Sequence, residues 1–526
     1  MATGAELTYN TNATAIQMAN AIFGDGVTVL GATYTGDARA KAIYSNGQLA
    51  PGVVPSNTGV ILSTGRVTDF TQSNGDPNRN ADTSTDTNGP NNNAQFNALA
   101  GANTFDAAFL DVTFVPTGSV MTMRFVFASE EYPEYINSNF NDVVGVWVNG
   151  VSVRMTVNGG TASVNNINGA TQQNLFVNNQ NDAYNTEMDG FTVVLSLSIP
   201  VNSGVQNTIR IGIADVSDAS YDSNLLIAGD SIQTTVVAVD DTATVRVNND
   251  RVVNVLANDS TTVGSLVITH VNGQPVVAGQ TITLASGEQI TLNANGTFTV
   301  VANGTVETQS FTYTVSNGQG GTDVGLVTLS MIPCFVAGTR IATPEGLVPV
   351  EALRAGDLVL TRDDGAQPVR WIGRQRVVAE GRCAPIAFAA GALGDHGALR
   401  LSPEHRVMVQ SAMAEVLFGA AEVLIAAKHL VNDGTIRRVA GGEVEYLHLL
   451  FDRHQVIWAE GLAAESFFPA TQALEALERD VLEELVAIFP EIDPESGAGY
   501  GPTARRVLRA FEAQVMMRDM MVKPAA

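Results

Sequence analysis

Cys334 is one of two cysteines in 526 residues. It follows Pro333 within "MIPCFVAGTRIATPEGLVPVEALRAGDLVLT", Met331 to Thr361, where the composition of the chain changes. A thiol in that position is either a small buried hydrophobe or, if its surroundings favour the thiolate, a nucleophile. Carboxylates form the second group with chemical potential. Glu130, Glu131, Glu134 and Asp142 make one cluster, Asp215, Asp218, Asp222 and Asp230 another, and Asp240, Asp241 and Asp259 a third. Calcium takes about six to eight oxygen ligands, which loops assemble from carboxylates and carbonyls. None of the runs has EF-hand spacing or a Gly-Gly-x-Gly-x-Asp repeat. Solvated acidic loops are one expectation, and calcium held by Glu130, Glu131, Asp142, Asp215, Asp218 and Asp222 is the other. Two cysteines and six scattered histidines lack the ligand spacing of a zinc site.

A chain of this length exceeds one core and implies roughly three or four domains. Apolar residues make up 45%, as in globular proteins, and no segment reaches the ~18 uninterrupted apolar residues of a membrane span. The start, "MATGAELTYN", has neither a basic n-region nor an apolar h-region, so no classical signal peptide is expected. The first 333 residues contain no thiol, which excludes a disulfide framework. Net charge is −25; residues 1–332 carry 9 Lys and Arg against 27 Asp and Glu. A surface of that sign repels phosphate backbones, and a nucleic-acid partner is not expected.

Residues 1–232 are rich in Asn, Thr, Gly, Val and Asp. Runs such as "SVMTMRFVFA", "VVGVWVNGVSVRMTV" and "TIRIGIA" alternate as strands between turn signals. The stretch "QSNGDPNRNADTSTDTNGPNNNAQ" reads as a long loop with nothing to bury. "FASEEYPEYINSNFNDVVGVWVNG", "DGFTVVLS", "IADVSDASYDSNLLI" and the earlier "TGVILSTG" resemble the bacterial choice-of-anchor L domain. That resemblance implies an exported or surface β-domain. Residues 233–332, with "VLAND", "GTFTV" and "FTYTVSNGQGGTD", resemble the cadherin-like or VCBS-type modules of bacterial surface proteins.

After Pro333 arginines appear and the strands shorten. "CFVAGTRIATPEGLVPVEALRAGDLVLTRDDGAQPVRWIGRQRV", "IAFAAGALGDHGALRLSPEHRVMV", "EVLIAAKHLV" and "VEYLHLLFDRHQVIWAEGLAAESFFP" resemble, in order, the Hint domain of hedgehog autoprocessing proteins and inteins. The fold class that follows is mainly β: two β-sandwiches at 1–232 and 233–332, an all-β Hint domain at 333–469, and a helical segment at 470–526. Leu474, Leu477, Val481, Leu485 and Phe489 carry the helical spacing there, and a second helix is expected over about Thr503–Val522.

The resemblance implies a chemistry. A thiol at the first Hint position attacks the preceding carbonyl and replaces the Pro333–Cys334 amide by a thioester. The family's Thr-x-x-His block corresponds here to Ser402-Pro-Glu-His405. Ser402 would orient the scissile amide, and His405 would activate or protonate it. Asp452 and His454 lie where the fold supplies later acid/base groups. His448 alternates with apolar neighbours and reads as a strand residue; His396 and His429 read as structural or surface residues, and Cys383 as packing or incidental.

No His-Asn pair follows Glu460, so cleavage or transfer without splicing is expected. Pro333 restricts the approach to its own carbonyl and predicts slow or conditional cleavage. Water, a thiol or an amine would accept the acyl group, with no cofactor required. The second function class is a non-enzymatic, calcium-dependent adhesion or matrix protein with an inactive Hint fold. Both place the protein outside the cell or on its surface, facing an unidentified surface or matrix ligand.

Overall fold

A computed structural model describes residues 2–80, 82–136, 138–153, 157, 162–244, 250–301, 309–330, 334–379, 384–432, 434–468, 489, 500–508, 512, 513 and 516. The chain is mainly β, as the alternating runs imply, and divides into two compact units. Nearly all of residues 1–328 form the first, and Leu329–Ala526 make up most of the second.

In the first unit, one sheet runs in the order Thr8–Asn10, Lys41–Ser45, Gly59–Ser63, Ser223–Ala228, Val120–Ser129, Gly190–Thr192 and Phe176–Asn178. A second sheet runs Val27–Thr35, Thr104–Pro116, Asn207–Val216, Val143–Val148 and Val151–Ser152. Alternation decides which side chains meet. Leu110, Val112 and Phe114 enter the core with Ile209, Ile211 and Ile213, against Met121, Met123, Phe125 and Phe127. The outward Asp111 meets Arg210 directly across the ladder, at 2.8 Å. The helix Ala15–Ile22 begins at a capping box made by Thr14 and Gln17 and buries Met18, Ala19 and Ile22.

The long loop expected to bury nothing instead buries Thr83 and Thr87. The reason lies in its backbone. Glu187 accepts from the N–H of Asn80 (2.8 Å), Glu130 from Thr83 (3.0 Å), Asp222 from Thr85 (2.7 Å), Asp106 from Thr87 (2.8 Å) and Asp37 from Asn88 (3.0 Å). Carboxylates of the sandwich thus supply the acceptors that a strandless segment lacks.

The same unit holds a smaller sandwich. In one of its sheets Thr322–Ser330, Gln309–Ser316 and Val267–Val271 are neighbours. In the other, Phe298–Val301, Gln289–Leu292 and Thr281–Thr283 are. Phe298 packs edge-on to Phe311 and Tyr313 between them. Asp323 ties the two sandwiches together: it accepts from Ser196 Oγ at 3.0 Å and from the Ala238 N–H at 2.9 Å. Burial raises its pKa to about 7, while the hydrogen bonds and the charge of Arg124 oppose that rise.

Among the described residues from Cys334 onward, the second unit forms two sheets. One runs Trp371–Val378, Glu443–Leu450, Phe335–Val336, Leu399–Leu401, Ile386–Phe388 and Ile436–Arg438. The other is built on Gly346–Pro349, Arg340–Thr343, Val456–Ala459, Leu462–Glu465, Arg406–Gln410, Glu422–Ala426 and Arg506–Val507. Phe335, Leu401, Val407, Ile425, Leu447 and Ile457 centre the core.

The helix expected over residues 471–489 lies almost entirely outside the described residues. The one expected from about Thr503 is corrected at its start, because Arg506–Val507 is a strand parallel to Glu422–Ala426. An open sheet edge and the pairing of Arg505 with Glu422 (2.7 Å) and Asp363 override local propensity there. Leu508, Ala513 and Met516 pack into the same core, so the tail belongs to this unit.

Removing the Asp323 carboxylate strands two donors and the Arg124 charge. Asp323→Ala should therefore destabilise the paired sandwiches by about 3 kcal/mol. Thermal melting of the full chain checks this; an unshifted first transition would show that the tie contributes nothing.

Candidate active site around Cys334

Sheet register brings the site together. Phe335 lies opposite Leu401 on one side and Leu447 on the other, both antiparallel. One residue earlier in the chain, Cys334 therefore sits between Ser402 and His448. The contacts follow: the Cys334 N–H donates to Ser402 Oγ at 2.7 Å, and the Ser402 N–H returns to the Cys334 carbonyl at 3.0 Å. Cys334 Sγ lies 3.5 Å from His448 Nε2. Cys334, Ser402, His405 and His448 are all buried. Pro333, the other half of the expected cleavage site, lies outside the described residues, as does Cys383.

The turn Ser402–His405 is closed by the His405 N–H donating to the Ser402 carbonyl at 3.1 Å. The His405 ring rests on Phe335, with centroids 4.2 Å apart. Burial lowers its pKa to about 4, and the nearby Glu465 charge only partly offsets this. Backbone groups of Cys334 and Glu465 also favour a proton there, yet neither ring nitrogen makes a well-formed hydrogen bond among the described residues.

Glu465 is a site residue that the sequence did not mark. It accepts from the Arg406 N–H at 2.9 Å and from its guanidinium at 3.1 Å. Its burial works to raise its pKa, but Arg406, His454 and His405 outweigh this and hold it at about 2. His454 reaches Glu465 at 3.4 Å, and its Nδ1 accepts from the Ala504 N–H at 3.0 Å, which leaves the ring proton on Nε2. His454 thus stands behind Glu465 and makes no contact with Cys334.

Asp452, expected to supply a later acid/base group, is not brought to Cys334. It forms an exposed ion pair with Arg370 at 2.7 Å and makes no hydrogen bond or ion pair to Cys334, Ser402 or His405. Arg370 leads into the strand Trp371–Val378 and captures the carboxylate away from the site. His396 staples its own loop through the Leu393 N–H at 3.0 Å, and burial lowers the pKa of His429 to about 4.

Five of the eight carboxylates in the first two acidic clusters are buried rather than solvated. Among the described residues, no group of three or more His, Cys, Asp or Glu is placed to hold an ion. Glu130, Glu131, Asp142, Asp215 and Asp222 are buried, whereas Asp218 is half-buried and Glu134 and Asp230 are exposed. Besides the loop contacts above, Asp142 accepts from the Val216 N–H at 3.0 Å. Burial is the main cause that raises Asp142 and Asp222 to about 7, Glu130 to about 8 and Glu131 to about 10. In the smaller sandwich, the Tyr313 hydroxyl lies 3.0 Å from Asp241 and 3.1 Å from Asp259.

Family models match three consecutive segments: the choice-of-anchor L domain at residues 7–233, a bacterial Ig domain at 233–330 and the Hint domain at 333–471. No curated protein matches. Among solved structures, the gp41-1 intein aligns over 25% of this chain and 97% of its own at 13% identity, with a TM-score of 0.17. The M60 catalytic domain with two CBM51 domains of Clostridium perfringens ZmpB aligns over 84% of this chain and 43% of its own at 8% identity, with a TM-score of 0.14. Such scores carry no functional weight. The choice-of-anchor segment points to a surface or exported protein. No helix among the described residues is long and apolar enough to cross a membrane.

The two units should answer acid in opposite senses. In the first, folded carboxyls hold protons that unfolded ones release above about pH 4, so stability falls as pH rises from about 4 to 8. In the second, unfolded histidines take protons below about 6.5 while His405 and His429 do not, so stability falls as pH drops from about 6.5 to 4. Calorimetry of the Cys334→Ala chain in EDTA at pH 8 and pH 5 should show one transition rising and the other falling on acidification. Asp142→Asn should flatten the rise. Two transitions moving together would contradict the assignment.

Proposed function

We propose that this chain, which carries a choice-of-anchor L domain, a bacterial Ig domain and a Hint domain, is a surface or exported protein whose Hint domain cuts the Pro333–Cys334 bond and frees the two sandwiches. The observation that carries this is the grip on the scissile amide: its nitrogen, that of Cys334, is held by Ser402 Oγ at 2.7 Å in the residue that also bears the thiol. In the reaction, Cys334 Sγ loses its proton and bonds to the Pro333 carbonyl carbon. The C–N bond then breaks, and the nitrogen leaves as an amine after gaining a proton. The product is a thioester, which water, a thiol or an amine opens, returning the sulfur to Cys334. Ser402 fixes the direction of the amide N–H, and the buried His405, proton-free at neutral pH, serves the leaving nitrogen by taking up a proton and passing it on. No metal or cofactor enters this chemistry. Ligation does not follow, since no Asn stands to cyclise after Glu460.

Incubation of the purified full chain with dithiothreitol, followed by intact-mass analysis, should yield fragments meeting between Pro333 and Cys334. Cys334→Ala should abolish them and Cys383→Ala should not. His405→Ala should slow their appearance by about a hundredfold or more, whereas Ser402→Thr should retain the rate. Cleavage at another bond, or cleavage that persists in Cys334→Ala, would sink the proposal.

A further inference from the structure

We propose that His448 is a catalytic residue of this site, the base that takes the proton of the Cys334 thiol, leaving His405 to serve the nitrogen. The inference rests on the self-cleavage reading and deepens it by dividing two proton transfers between two imidazoles.

Position is the first argument. The strand Glu443–Leu450 lies beside Phe335–Val336, and its register puts His448 opposite Cys334. Nε2 and Sγ are 3.5 Å apart, within reach of a sulfur hydrogen bond. His405 is placed differently: its ring lies on Phe335, at the turn that begins with Ser402, the residue holding the amide nitrogen. One histidine therefore faces the nucleophile, and the other belongs to the turn that grips the leaving group.

The second argument is how firmly the His448 ring is set. Trp371 lies nearly parallel to it, with centroids 6.4 Å apart and planes 15° apart, and Phe467 packs at 5.4 Å. Directly across the ladder from His448 stands Gly373. A Cβ there would come within 2.2 Å of the Trp371 ring and 2.9 Å of His448 Cδ2, so the glycine is what leaves the two rings room to lie together. A ring clamped this way presents Nε2 to the sulfur without a rotamer search. Ordinary strand packing explains the burial of His448 but not the aim of its polar edge at the one thiol among the described residues.

The proton balance closes. The Sγ–H bond breaks and its proton passes to His448 Nε2 as sulfur bonds to the Pro333 carbonyl carbon. His405, proton-free at rest, takes up one proton from solvent and delivers it to the departing nitrogen, while His448 returns the thiol's proton to solvent, so that both rings end as they began. The net change is one proton moved from sulfur to nitrogen, as an N-to-S shift requires.

The test uses the full chain in a Cys383→Ala background and reads two rates at neutral pH: alkylation of Cys334 by iodoacetamide, and cleavage in dithiothreitol. His448→Gln and His448→Asn, each checked for an unshifted melting transition, should slow both rates by about tenfold or more. His405→Ala should slow cleavage and leave alkylation within about twofold. If His448→Gln and His448→Asn alkylate like the parent while Cys334-dependent cleavage proceeds normally, the inference is overturned and the self-cleavage reading stands. If alkylation depends on His448 but no cleavage occurs in any variant, the thiol–imidazole pair is supported and the self-cleavage reading fails.

Discussion

A strand of two residues, Phe335–Val336, is the constraint on which the second unit turns. It is held in the middle of a sheet, between Leu399–Leu401 and Glu443–Leu450, with the Phe335 side chain in the core. Because strand register advances one residue at a time on both flanks, fixing Phe335 also fixes Cys334, and a slip of one residue would turn its thiol to the other face. The hydroxyl of Ser402, the amide of Cys334 and the imidazole of His448 meet through ladder geometry and not through a flexible loop. Rigid elements hold reacting groups to tighter tolerances than loops do. On the self-cleavage reading proposed above, the amide nitrogen of the bond to be cut would be presented by the sheet itself, through the contact of Cys334 with Ser402.

Behind that first layer, charge is arranged to keep the histidines distinct. Glu465 is fully buried and kept ionised by Arg406 and His454, so a negative charge stands near His405 without contacting the thiol. In the first unit, buried carboxylates do other work. Five of them accept backbone N–H groups of the 80–88 segment. Part of the acidic character of residues 1–332 therefore serves as hydrogen-bond acceptors for a long loop. Burial raises the proton affinity of Asp142, Asp222, Glu130 and Glu131, and the loop's N–H groups oppose that rise at Asp222 and Glu130.

The parts of the chain that were legible in the sequence are those in which residue type and chemistry coincide. Cys334, Ser402 and His405 stand in blocks whose order carries the Hint resemblance, and alternating runs gave the sandwiches. His448 was hidden because a histidine within "EYLHLLF" has the period of a strand, and periodicity does not reveal which neighbour its polar edge meets. Glu465 was hidden in "GLAAESFF", where one acid among small residues carries no spacing signal. Gly373 gave a weak hint, since an isolated glycine inside a strand marks a close approach, but nothing in the sequence named Trp371 and His448 as the groups approaching. Asp452 was marked by its place in the stretch where the Hint fold supplies later acid/base groups; in space it pairs with Arg370. The strand at Arg506–Val507 escaped because a sheet edge distant in sequence, and not local propensity, recruits it.

Identifying the chemical end left on the fragment that finishes at Pro333 is the most direct test of acyl transfer through Cys334. Mass spectrometry of that fragment, released in hydroxylamine and separately in water, distinguishes a thioester intermediate from simple hydrolysis. Transfer through sulfur predicts a hydroxamate on Pro333 in hydroxylamine and a carboxylate in water, with both lost in Cys334→Ala. A carboxylate under both conditions, formed with or without the thiol, would contradict it.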